Sequence, residues 1–256
     1  MTDLAELIVG HAFTLLLLLA RIGPVFALLP GLGESSAPMP LKAGLALSLS
    51  LLLLPVIEPL APPRPDTETV LGLMIAAEIV NGLWFGWLVR VMTSSLPAAG
   101  QFIADFAGLS NVLQPSQDFG GQTTVVARLF EVAVPALVLS SGLYTVPLSA
   151  LAGFYRLVPP GSALWAADSA ALTAAAVAES FSLALRLASP FVLAAIAWNT
   201  AIGLIARLVP KLQIYFVALP GQIGLFLVLL GAIAAPLIVA WMEAMRAALG
   251  ALPGAG

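Results

Sequence analysis

Cysteine is absent from this chain, so neither a disulfide nor a thiolate metal site is open to it. Histidine is nearly absent: His11 stands alone, which removes the common multi-histidine metal sites. Charge is scarce as well. Only 9% of the 256 residues are charged, 10 basic and 13 acidic, where soluble domains carry roughly 25%. No basic run occurs, so nucleic acid finds no electrostatic footprint. What fills the chain is apolar: 61% of residues, with a mean hydropathy of +1.05. This combination places the chain among integral membrane proteins. The N-terminus opens with Asp3 and Glu6 and lacks the basic start of a cleaved signal, so the first apolar segment is expected to be retained.

The residue sets of intramembrane catalysis are missing too. Ser140-Ser141-Gly142 lacks the leading glycine of a serine-protease nucleophile motif, and His11 is the sole imidazole. Asp105 stands outside any Gly-x-Gly-Asp context and has no paired aspartate. No activated nucleophile with a base in reach is recognisable, and the chain reads as non-enzymatic, with no cofactor. The glycines of Pro30–Ser36 are followed by no Lys-Ser/Thr pair, so they make a turn and not a phosphate cradle.

About six long apolar segments are present, each near or above the roughly 20 residues that cross a hydrocarbon core. They are Leu4–Leu29, interrupted toward its end by Arg21, Gly23 and Pro24; Leu41–Ile57, with Lys42 at its mouth; Thr69–Leu96; Val125–Leu157; Ala171–Leu208; and Ile214–Leu249. Glu58–Asp66 holds four prolines and predicts a stiff linker, after which Asp66, Thr67 and Glu68 supply a helix start. Prolines at 24, 135, 147, 190, 220 and 236 fall inside apolar segments and predict kinked or broken helices, with a break at Pro190.

Three stretches carry polar groups where lipid would penalise them. Glu78, Gly82 and Gly86 share one face of the third segment; the glycines would let a neighbouring helix approach closely. Glu78 reads as a buried, hydrogen-bonded carboxylate or as part of a proton relay. Residues 97–124 are too polar for lipid and too apolar for an ordinary exposed loop, which suits a re-entrant or pore-lining position. Asn199 and Arg207, then Pro210, Lys211 and Gln213, form the polar tip of a helical hairpin, or else snorkel to the interface. Lys42, Arg90, Arg128, Arg207 and Lys211 flank one set of loops and place that tip on the cytoplasmic side. Arg128 and Glu131, at i and i+3, can neutralise each other.

The stretches ARIGPVFALLPGLGESSAPMPLKAGLAL (20–47), EIVNGLWFGW (78–87), AGQFIADFAGLS (99–110) and ASPFVLAAIAWNTAIGLIARLVPKLQIYFVALP (188–220), with the proline-kinked tail after them, resemble the FliR family in the family's order. That family is the R/T-type subunit of the type III export gate. The resemblance implies an all-α, membrane-type subunit that assembles with P-type and Q-type subunits, and with the B-type switch subunit, into a helical pore-bearing core. Unfolded exported proteins would be the cargo, and the bacterial inner membrane at the flagellar basal body the location. It further implies a P-like N-terminal part, 1–124, with a plug loop at about 108–121, and a C-terminal part, 125–256, of helical hairpins with a tip at about 207–213. The plug would draw on Phe106, Gly108, Leu109, Val112, Leu113, Pro115 and Phe119. Two departures are visible: Gln114-Pro115 stands where Asp-Pro and an aromatic-rich loop are usual, and Lys211 replaces a glutamine after Pro210. A stand-alone secondary transporter or small-solute channel is the competing class. It should show two related halves with matching broken helices, and Pro24 and Pro190 have no matching neighbours.

Overall fold

The structure, a computed structural model, describes residues 2–33, 38–109, 124–164, 166–208 and 214–255. Among these residues it is all helical and contains no strand: α1 (Thr2–Leu28), α2 (Met39–Ile57), a 3₁₀ turn (Glu58–Leu60), α3 (Glu68–Thr93), α4 (Ser95–Ala107), α5 (Val125–Ser140), α6 (Thr145–Leu157), α7 (Ala166–Leu208) and α8 (Ile214–Gly250). Among the described residues, five stretches are long and apolar enough to cross a membrane, or six if the bent α5–α6 pair is one span. The protein is an all-α membrane protein.

Several expected boundaries hold for local reasons. Helix α2 begins just after Pro38 with a proline in its first turn, where a missing N–H is no loss. Helix α3 starts at Glu68 with Leu71 N–H bonded to Thr67 O at 3.1 Å. Other expectations are corrected. Arg21, Gly23 and Pro24 do not interrupt α1, which continues to Leu28; the Arg21 charge is met inside the protein by partners described below. The linker after α2 begins with a 3₁₀ turn before it extends. Residues 97–107, where apolar residues recur in an amphipathic pattern, do form a helix, α4.

The expected break at Pro190 is likewise absent, as α7 runs through it for 43 residues. Proline deprives the carbonyl four residues earlier of its donor, here that of Arg186. Ser189 Oγ donates to Arg186 O at 2.7 Å and fills that vacancy, so the helix continues. A break lies instead at Gly142, whose φ of +73° only glycine takes readily, five residues before Pro147. There α5 and α6 meet at 72°.

The chain forms two compact units. The first comprises Met1–Thr93, Pro135–Val177 and Arg246–Gly256. In it α1 packs along α3 and against α2, with Leu17, Leu18, Ile22, Phe85, Leu88 and Phe154 in the core. Helix α2 buries only Ala46, Ser50, Leu53 and Ile57, one face at helical spacing, and turns Leu47, Leu51, Leu52 and Val56 outward. An apolar outward face of this kind suits lipid or a protein neighbour rather than water.

The second unit comprises Ser94–Val134 and Ala178–Met245. Helix α4 buries Leu96, Ala99, Ile103 and Ala107 there, and its Gly100 lies against Ala127 and Phe130 of α5. Phe191 of α7 meets Phe226 of α8 with ring centroids 6.0 Å apart, and Trp241 donates Nε1–H to Ser95 Oγ at 3.0 Å.

Candidate functional site

In the second unit, the polar groups gather around the end of α4. Gly108, at φ 75°, lets its own N–H reach Asp105 O at 3.2 Å and Leu109 N–H reach Ala104 O at 3.0 Å. This is the Schellman closure of a helix, with Leu109 buried against it. The carbonyl of Phe106, one of the last four that a helix leaves without a partner, accepts from Gln222 Nε2 of α8 at 3.0 Å. Leu219 of α8 lies against Gly108. Chain returning toward α5 is tied to the same helix. Thr124 N–H and Oγ1–H both donate to Gln101 Oε1, at 3.3 and 3.1 Å, while Thr124 Oγ1 accepts from Ala127 N–H at 3.4 Å and caps α5. Gln101 Nε2 donates to Asp105 Oδ1 at 3.1 Å.

Beside this, Gly221 of α8 faces the indole of Trp198 on α7, where a Cβ would come within 3.1 Å of Cη2. Asn199 is exposed and donates back to Ala195 O at 2.9 Å; Arg207 is exposed in the last turn of α7, where a cation suits the helix dipole. Replacing Gln222 by leucine leaves the Phe106 carbonyl without its donor. One neutral hydrogen bond is worth about 1 kcal/mol. The melting temperature of the purified protein is expected to fall by about 2–4 °C. An unchanged melting curve would mean that water serves that carbonyl equally well.

In the first unit, the polar centre is fully enclosed. Arg21 and Glu78 are both inaccessible to solvent, with Nε to Oε2 at 2.6 Å and Nη2 to Oε1 at 2.9 Å, a two-bonded fork. Two further donors of Arg21 go to the turn after α6: Nη1 to Val158 O at 2.9 Å and Nη2 to Pro159 O at 3.4 Å. Gly161 N–H donates to Glu78 Oε1 at 2.6 Å, and Asn81 Nδ2 to Ser162 O at 2.9 Å. The guanidinium also lies over the ring of Tyr155, 4.2 Å from its centroid. One ion pair therefore joins α1, α3 and the turn after α6.

The sequence model of the bacterial export proteins, family 1, matches residues 12–248. The chain belongs to that family. Among its relatives, flagellar biosynthetic protein FliR of Caulobacter vibrioides is 31% identical over 90% of this chain and 92% of its own length. FliR of Bacillus subtilis is 24% identical over 84% of this chain and 83% of its own. Yop proteins translocation protein T of Yersinia pestis is 28% identical over 85% and 84% respectively.

In this member of the FliR family, the expected site residues are distributed as follows. Phe106, Gly108 and Leu109 sit at the α4 end beside α8. Val112, Leu113, Pro115 and Phe119 lie outside the described residues, as do Pro210, Lys211 and Gln213 of the tip. Glu78, Gly82 and Gly86 face α1: a Cβ on Gly82 would run into the Arg21 carbonyl, and one on Gly86 would lie 3.0 Å from Leu28 Cβ. The structure adds Arg21, Gln101 and Gln222 to the residues expected from sequence. Arg21 had a signal, since it is the one arginine or lysine of its apolar run and Glu78 the one acidic residue of another. The glutamines had none.

Proposed function

We propose that this chain is a non-enzymatic channel subunit of the flagellar type III export gate, lying in the bacterial inner membrane at the basal body. It assembles with P-type and Q-type subunits, meets the B-type switch subunit, and helps form and plug the pore through which unfolded proteins leave. The observation that carries this reading is the family match across 12–248, together with the 31% identity to a flagellar biosynthetic protein over nine-tenths of the chain. The surface agrees with it. Leu193, Ile196 and Leu204 of α7 and Leu227 and Val228 of α8 stand exposed, on helices of about 64 and 55 Å that are far longer than one bilayer crossing needs. Such faces call for lipid along part of their length and neighbouring subunits along the rest.

Co-expression with the P-type and Q-type subunits is expected to yield one complex that survives detergent extraction and size exclusion, and loss of this chain is expected to stop swimming. Recovery of this chain alone, with the partners migrating separately, would remove the reading. The proposed plug is tested apart from assembly. Deleting Asn111 to Ser116 should leave the complex intact yet raise ion conductance in reconstituted vesicles severalfold, because apolar side chains in a lumen exclude water and ions. Equal conductance with and without the deletion would move the seal to the partner subunits.

A further inference from the structure

Within the first unit, α1, α2 and the bent α5–α6 pair enclose an open cleft of about 540 Å³. Its walls are Phe26 of α1, Leu45, Leu49 and Leu52 of α2, and Leu139 and Leu148 on either side of the bend. Two polar residues join the lining, Ser48 and Tyr144, and Ser48 Oγ is already bonded to Gly44 O at 2.8 Å. The cleft thus offers an occupant apolar contact and little else. Positions 42, 45, 49 and 52 of α2 repeat at heptad spacing, so Lys42 sits on the same helix face as the three leucines, at one end of the cleft. Lys42 Nζ donates to Gly33 O at 3.0 Å, next to the lining residue Leu32. Among the described residues that is its one hydrogen bond, and an ammonium has three donors.

We propose that this cleft binds an anionic phospholipid, one acyl chain lying along α2 and its phosphate meeting Lys42. The dimensions agree: Lys42 to Leu52 covers about 15 Å of helix, half of the roughly 30 Å hydrocarbon core, which is the depth of one leaflet. The cleft is continuous with the outward apolar face of α2, where Leu51 and Leu52 stand exposed, so a chain can enter sideways from the bilayer. An amine at the leaflet edge and an apolar slot below it match the two ends of one lipid. A helix from a protein neighbour would fill the slot but would give Lys42 no phosphate.

The test uses the full chain purified in detergent and exchanged with phosphatidylglycerol or phosphatidylcholine, with bound lipid counted by native mass spectrometry. One retained phosphatidylglycerol is expected, preferred over phosphatidylcholine about five-fold, because both lipids carry the phosphate but choline cancels its charge, and one cation favours net-anionic lipid by about that factor. Lys42→Gln should abolish the preference and keep a bound lipid. Leu49→Trp should lose bound lipid of either kind. Leu52→Trp gives the same readout from the exposed rim, where a larger ring cannot disturb the core. Phosphatidylglycerol carrying a photoreactive diazirine in its acyl chain should label α2 and α6 peptides. Retention unchanged in both tryptophan variants, or label found only elsewhere, would overturn the cleft as a lipid site. Equal retention of the two lipids by the unaltered chain would overturn the role of Lys42. In the assembled complex, capture of a protein subunit in place of lipid by a photo-crosslinker at position 45 would show that the slot is a subunit interface.

Discussion

Replacing Arg21 by alanine is expected to destabilise the protein by about 3–5 kcal/mol and to leave little of it folded in the membrane. The change strands Glu78, which is wholly buried and has Arg21 as its cation, and it deprives the carbonyls of Val158 and Pro159 of their donors. Glu78→Ala should cost as much by the reverse route, leaving a buried guanidinium. Arg21→Lys keeps the charge but loses the fork and the stacking on Tyr155, so an intermediate loss is expected. The joint change to Arg21→Met and Glu78→Leu should recover much of the loss, since no charge is then buried unpaired. Abundance in membranes and the thermal midpoint in detergent are the measurements. An Arg21→Ala protein as abundant and as heat-resistant as the parent would refute the clamp.

The next largest effect is expected at Gly82. A methyl group there would occupy the position of the Arg21 carbonyl oxygen, which is backbone and cannot rotate away. Helices α1 and α3 would have to separate, and their separation would also lengthen the Arg21–Glu78 bonds one turn along. Overpacking ordinarily costs about 1–3 kcal/mol; the coupled loss of the ion pair should place Gly82→Ala at or above the upper end of that range. Gly86→Ala should be milder, because its nearest obstacles, Leu28 Cβ at 3.0 Å and Val25 Cα at 3.2 Å, stand farther off and a shift of a few tenths of an ångström relieves them. Gly72→Ala on the same helix meets nothing within 4 Å and should cost nothing, or gain up to about 1 kcal/mol of helix propensity. Thermal unfolding of the three proteins ranks them directly. A Gly82→Ala protein that unfolds alongside Gly72→Ala would mean that the two backbones are not in contact.

What is legible in the sequence is set by neighbours in the chain. Apolar runs of membrane length announce helices wherever they are placed, because backbone groups in lipid must bond within their own segment. Thr67 and Glu68 start a helix from local geometry, and Arg128 meets Glu131 at 2.8 Å because three residues make one turn. The healed helix at Pro190 was also local: the hydroxyl that serves the orphaned carbonyl belongs to the adjacent Ser189, but a rule that counts prolines alone overlooks it.

The rest depended on segments far apart in the chain. Arg21 and Glu78 are 57 residues apart and Arg21 and Val158 are 137 apart, so no periodicity links them. The spacing of Gly82 and Gly86 marked a close approach without naming the helix that makes it. Gln222 and Phe106, 116 residues apart, meet because α8 packs beside the end of α4. The sequence by itself determined that this is an all-helical membrane protein of the export family, since apolar length and local motif survive in any arrangement of helices. Only the tertiary structure decided which charge neutralises which and which backbones touch, because a buried ion pair and a glycine contact exist only once distant segments share one desolvated space.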